Sequence, residues 1–251
     1  MMNSRDGKKT ENKMSETQAL LECRDLSFAY DKKAQEVLKN ISFTVEAGSH
    51  VALIGPNGVG KSTLLKLVVG LLRPQQGEIL VEGERVTEKT LSEIRRKVGF
   101  VFQEADHQLF LSEVREDLAF GPRNYGLSED EVKARCDGVL ERLGITHLAD
   151  RKTARLSGGE KKLVSLATVL VLEPKLLILD EPTIALDPRN RRNFMKLLRK
   201  LPEACLVATH DLEFAGECCD RVILLGSDGA LRAGTPQEIL SDETYLEEHG
   251  L

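Results

Sequence analysis

The sequence predicts an α/β fold, a doubly wound parallel sheet carrying an inserted helical lobe. Three observations lead there. His50–Ile54, Val98–Phe102, Leu176–Leu179 and Cys205–Ala208 are short apolar runs of the kind that form strands covered on both faces. Helical patterns separate most of them, and that alternation builds parallel sheets. Between Glu104 and Ser157 the pattern is helical, which reads as an insertion.

Residues 1–18 are polar and nearly free of apolar side chains other than Met. They bury too little surface to offset ordering entropy and are expected to be disordered, leaving one folded domain over 19–251 with its lobe at about 104–158. Leu20–Tyr30 and Val37–Val45 read as strands joined by a polar turn at Asp31-Lys32-Lys33. A helix follows His50–Ile54 over Lys61–Leu72, with Pro74 as its stop, and Glu78–Val81 is a further strand. From Ser112 to Leu143 the reading is helical, with Ser128 and Glu131 spaced as a capping box that opens the helix ending before Gly144. Helices are expected over Gly159–Val171 and Pro188–Leu201, the second capped by Asp187 with Pro188 in its first turn. The C-terminal portion reads as strand Arg221–Leu225, a turn at Ser227-Asp228-Gly229, strand Ala230–Ala233 and a helix capped by Thr235 with Glu238.

The 251 residues are 41% hydrophobic, 30% charged and only 4% aromatic, without Trp, so aliphatic side chains must build the core. The net charge of −5 argues against a nucleic-acid partner. Five cysteines, Cys23, Cys136, Cys205, Cys218 and Cys219, fall at no metal-ligand spacing and read as reduced. No apolar run reaches the ~20 residues of a membrane helix. No signal-peptide core is evident either, so a cytosolic setting is expected.

Gly55-Pro-Asn-Gly-Val-Gly-Lys-Ser62 fits the phosphate-binding pattern G-x-x-x-x-G-K-S between a strand and a helix. Its backbone N–H groups and the helix N-terminus suit phosphate oxygens. Lys61 is placed for β- and γ-phosphates and Ser62 for Mg²⁺. The bland alternative is a glycine-rich turn capping a helix. Leu176-Leu-Ile-Leu-Asp180-Glu181 is an apolar strand ending in two carboxylates at the sheet edge where such folds bind ligands. Alone it reads better as a surface turn; the phosphate loop upstream reverses that, and Asp180 then suits Mg²⁺ and Glu181 a general base. Leu156-Ser-Gly-Gly-Glu160, opening a helix, is a second phosphate-binding candidate or a plain cap.

Together these motifs resemble those of ABC ATPases over roughly residues 20–240. The resemblance implies the P-loop ATPase core with an antiparallel β subdomain and helical lobe, with ATP and Mg²⁺ bound. It implies nucleotide contacts from Gly55, Asn57, Gly58, Gly60, Lys61, Ser62 and Thr63. Ser157, Gly158 and Gly159 are similar to the signature motif that meets the γ-phosphate of a second subunit, with Glu160 where Gln is usual. Gln103 resembles the Q-loop glutamine that touches Mg²⁺, Asp187 closes a D-loop, and His210 resembles the switch histidine. Tyr30 resembles the adenine-stacking aromatic, with a core role as its alternative. The family's Thr-Ala-Gly-Leu-Asp stands here as Thr183-Ile-Ala-Leu-Asp187.

The stretch from Lys61 to Ser157 is too short for the coiled coil of chromosome-maintenance ABC proteins, and a single cassette disfavours ribosome-associated factors. Gln103–Phe110, Val114–Pro122 and Ser157–Lys162 look like the ATPases of energy-coupling-factor (ECF) importers, and residues 240–251 look like their cobalt and nickel branch. The resemblance implies a second ATPase subunit, a transmembrane coupling scaffold, a substrate-binding membrane subunit and a peripheral place on the cytoplasmic face. Vitamin cargo, such as biotin or riboflavin, and a soluble ATPase of iron–sulfur cluster assembly are the alternatives. His107 has no second His or Cys at ligand spacing.

Overall fold

The computed structural model describes residues 19–31 and 36–251; the expected tail 1–18 and Lys32-Lys33 of the expected turn lie outside them. Two sheets organise what is described. In the first, β1 (Ala19–Phe28) lies between β2 (Leu38–Glu46) and β4 (Gln76–Val81), with β5 (Glu84–Arg85) at the edge, all antiparallel. The second runs β10-β9-β3-β8-β7-β6, from β3 (His50–Ile54), β6 (Val98–Val101), β7 (Leu176–Asp180), β8 (Ala204–Ala208), β9 (Arg221–Leu225) and β10 (Leu231–Gly234). It is parallel except for β10, which returns from β9 as a hairpin. The expected α/β architecture and antiparallel subdomain are both present.

Every residue of β3, β7 and β8 is buried, because both faces of this sheet are covered. One face meets α1 (Lys61–Val68) and the antiparallel sheet, with Leu21, Val51, Leu64, Ile178 and Leu206 in a common cluster. The other meets α5 (Gly158–Leu170) and α6 (Pro188–Leu198), through Leu166, Phe194, Leu177 and Val207. The same cluster continues into α3 (Val114–Asn124) and α4 (Glu129–Arg142) by way of Leu118 and Leu140. Asp180, Glu181, Thr209 and the P-loop therefore emerge together at the C-terminal ends of adjacent strands.

The expected helix ends needed correction. α1 stops at Val68, short of Leu72, because Gly70 adopts φ +66° and ends the helix in a left-handed turn before Pro74 is reached. α6 stops at Leu198 instead of Leu201. The expected helical stretch 112–143 holds α3 and then α4, which the capping box opens as expected: Ser128 N–H donates to Glu131 Oε2 at 3.0 Å. Three short helices went unforeseen: α2 (Leu91–Lys97), α7 (Leu212–Cys218) and α9 (Glu243–Glu248), the last following α8 (Pro236–Leu240). All five cysteines are free thiols, as expected. Among the described residues no helix is long and apolar enough to cross a membrane.

Candidate functional site

Gly55 follows β3 and turns the chain at φ +155°; a Cβ there would lie 2.4 Å from the Leu225 carbonyl oxygen. Glycine is thus required where the loop leaves the sheet. The loop then winds to Gly60, and α1 begins at Lys61. Lys61 is buried and its Nζ donates to the carbonyls of Gly55 at 2.6 Å and Pro56 at 3.1 Å. Burial holds the Lys61 ammonium pKa below its usual value, against the opposing pull of Glu181 and Asp180.

Ser62 faces the end of β7, where its Oγ donates to Asp180 Oδ1 at 3.1 Å. Burial raises the Asp180 pKa, with Glu181 beside it adding to the rise and Ser62 opposing it. Glu181 is also buried and sits at φ +45°, a conformation unfavourable for a side chain of its size. Its N–H donates to the Ala208 carbonyl at 2.8 Å, which anchors the turn to β8. Its carboxylate is held from both sides: Thr209 Oγ1 donates to Oε2 at 3.2 Å, and His210 Nδ1 lies 3.0 Å from Oε1.

A cleft of about 450 Å³ brings Lys61, Ser62 and Thr63 together with Gln103, Glu181 and His210. Asn57, Gly58, Gly60 and Tyr30 line it as well. Tyr30 is not a core residue. It is 62% exposed, sits edge-on to Phe28 with centroids 5.1 Å apart, and its hydroxyl is 2.9 Å from Thr63 Oγ1. A groove of similar size, about 500 Å³, runs beside Leu67, Ile79 and Val86 and holds none of the motif residues.

Ser157, Gly158, Gly159 and Asp187 do not line the motif cleft. Ser157 caps α5, where its backbone N–H donates to Glu160 Oε2 at 2.8 Å and Glu160 N–H returns to Ser157 Oγ at 3.4 Å. Glu in the place of Gln thus keeps the capping box, and Arg151 Nη1 pairs with its Oε1 at 3.1 Å. Asp187 caps α6 through the N–H groups of Arg189 and Asn190. Asn190 Nδ2 donates to Asp187 Oδ2 at 2.6 Å and packs over Gly159, where a Cβ would approach it to 2.7 Å.

Sequence reasoning missed several residues that hold this arrangement. Asp211 accepts two hydrogen bonds from the Arg191 guanidinium, at 2.8 and 2.9 Å, and one from Thr183 at 3.3 Å. Lys162 lies buried on α5 with its ammonium on the Gln103 carbonyl. Among the described residues no group of three or more His, Cys, Asp or Glu is arranged to hold a metal ion.

A family model described as ABC transporter matches residues 38–184, more than half of the chain. The chain belongs to the ABC transporter family. It is 43% identical over 232 residues to the energy-coupling factor transporter ATP-binding protein EcfA of Methanothermobacter thermautotrophicus, covering 90% of this chain and 74% of that one. The EcfA of Methanoculleus marisnigri is 42% identical over 231 residues, covering 90% and 83%. A solved structure of CbiO1 from Clostridium perfringens, described as part of the ABC transporter complex cbiONQ, superposes with a TM-score of 0.83. It shares 38% identity, covering 92% of this chain and 94% of that one. The ABC cassette is this family's ATPase, which binds ATP and powers transport, and this chain is such a cassette.

Proposed function

We propose that the chain is the ATPase of an ECF-type importer, that two cassettes act head to tail, and that the cargo is a transition-metal ion, cobalt or nickel. One observation carries the ATPase mechanism: a single cleft gathers Lys61, Ser62, Gln103, Glu181 and His210, while Ser157–Gly159 stands outside it. A chain so arranged needs a second copy, or a paralogue, to bring signature residues to its nucleotide.

In this reading the P-loop backbone and Lys61 hold the β- and γ-phosphates, and Tyr30 stacks on the base. Glu181 takes a proton from the attacking water as its oxygen bonds to the γ-phosphorus, and ADP leaves with the bridging oxygen. Thr209 and His210 fix the carboxylate that does this. Asp187 lies at the cassette interface, where it relays the state of one site to the other. Ser62, Asp180 and Gln103 offer hydroxyl, carboxylate and amide oxygens, a donor set that suits Mg²⁺. Bound there, Mg²⁺ neutralises charge developing on the phosphates.

The membrane partners meet the cassette beside Gln103–Phe110. Phe110 and Phe120 are 62% and 44% exposed and stack edge to face at 4.9 Å, an aromatic patch suited to an apolar partner segment. The domain is taken as 19–251 with its lobe at about 104–158, on the cytoplasmic face of the membrane. The preference for cobalt or nickel rests on the resemblance of the C-terminal segment 240–251 to that branch of importers. Affinity purification from native membranes in mild detergent tests the reading. Recovery of a multi-span scaffold and a small substrate-binding membrane protein supports it, while recovery of soluble partners alone supports the iron–sulfur assembly role.

A further inference from the structure

The segment that carries Gln103 is fastened to the helix that carries the signature residues. Lys162 Nζ donates to the Gln103 carbonyl at 2.6 Å and approaches that of Phe102 at 3.4 Å. Gln108 Nε2 donates to the Ser165 carbonyl at 2.7 Å and to Thr168 Oγ1 at 2.8 Å, while its Oε1 accepts the Phe102 N–H at 3.2 Å. Lys161 pairs with Asp106. Of these contacts only that of Lys162 reaches residue 103 itself. Lys162 is 3% exposed, an uncommon place for a lysine. Burial lowers its pKa to about 8, against the pull of Asp180 and Glu181. An apolar side chain of equal length would fill the space without desolvating a charge, so packing alone does not account for this one.

We propose that Lys162 is a positioning residue for ATP turnover: it fastens the Gln103 backbone to α5, so that Gln103 moves onto this chain's nucleotide as Ser157–Gly159 moves onto the partner cassette's. The inference rests on the ATPase reading and extends it. Lys61, Ser62 and the loop backbone bind phosphate independently of this link, so its loss falls on the chemical step. A displaced Gln103 leaves the site misassembled, and shifts on the order of 1 Å are enough to slow catalysis steeply.

The test is a double-mutant cycle on the full chain, read as kcat and KM for MgATP. Lys162→Met lowers kcat about ten-fold with KM for ATP nearly unchanged. Lys162→Arg, which still donates to a carbonyl, recovers most of that loss. In a Gln103→Ala background Lys162→Met costs little more, because the residue it positions is gone. Should the Met variant melt below the assay temperature, all four members of the cycle are compared at a temperature below that melt. An unchanged kcat, or the same fold-loss with and without Gln103, overturns the proposal. A wild-type chain that binds fluorescent ATP yet never hydrolyses it overturns the ATPase reading instead, and this inference with it.

Discussion

His210 Nδ1 lies 3.0 Å from Glu181 Oε1, while Thr209 Oγ1 holds the other carboxylate oxygen at 3.2 Å. The pair joins the ends of β7 and β8, neighbouring strands of the parallel sheet, and keeps a residue at φ +45° in one orientation. A general base gains its effect from being aimed as well as from being basic. His210→Ala is therefore expected to lower kcat about 100-fold while leaving KM for ATP nearly unchanged. Steady-state hydrolysis measures both, and a variant that turns over normally refutes the role given to the histidine.

Ala185 adopts φ +62° in an exposed loop, at the position where the family often has Gly. A left-handed conformation costs an alanine about 1–2 kcal/mol, and glycine removes that strain while adding about 0.5–1 kcal/mol of unfolded-state entropy. Ala185→Gly should stabilise the chain by up to about 1 kcal/mol, raising Tm by about 2–4 °C. A lowered Tm in a thermal melt contradicts the strain argument.

Asp211 supplies the pH-dependent link. Burial alone would raise its carboxyl pKa, but the Phe214 N–H and the Arg191 guanidinium outweigh that and hold it below the usual carboxylate value. A depressed folded pKa contributes stability at neutral pH and loses it as pH falls through that value, below the unfolded ~3.9. Asp211→Asn keeps a helix cap and removes the charge. It is expected to cost about 1–3 kcal/mol at pH 7, with the gap to wild type closing toward pH 3. Urea unfolding at both pH values checks this, and an equal loss at each contradicts it.

The strands and the motif residues at their ends were legible because apolar runs and glycine spacing are local properties of the chain. His50–Ile54 needs no partner to read as a buried strand, and the Ser128 and Thr235 caps sit three residues before their glutamates. The supports of the site were harder to see. α2 buries Ile94 alone, and α7 has seven residues, so neither establishes a helical period. Lys162 follows Lys161 and reads as part of a solvated stripe. Its bond to the Gln103 carbonyl is a contact made between distant parts of the chain. One signal was present: Lys162, Ser165 and Val169 share a helix face, and all three are buried. Asn190 and Arg191 likewise gain their roles only when α6 is laid against Gly159 and Asp211.

In Glu181→Gln the base is replaced by a neutral isostere, and hydrolysis and molar mass are measured on one preparation at saturating MgATP. Turnover is expected to fall by at least about 100-fold, and the mass to double only when ATP is present. Normal turnover, or a monomer at saturating ATP, would contradict two cassettes closing on nucleotide with Glu181 as the base.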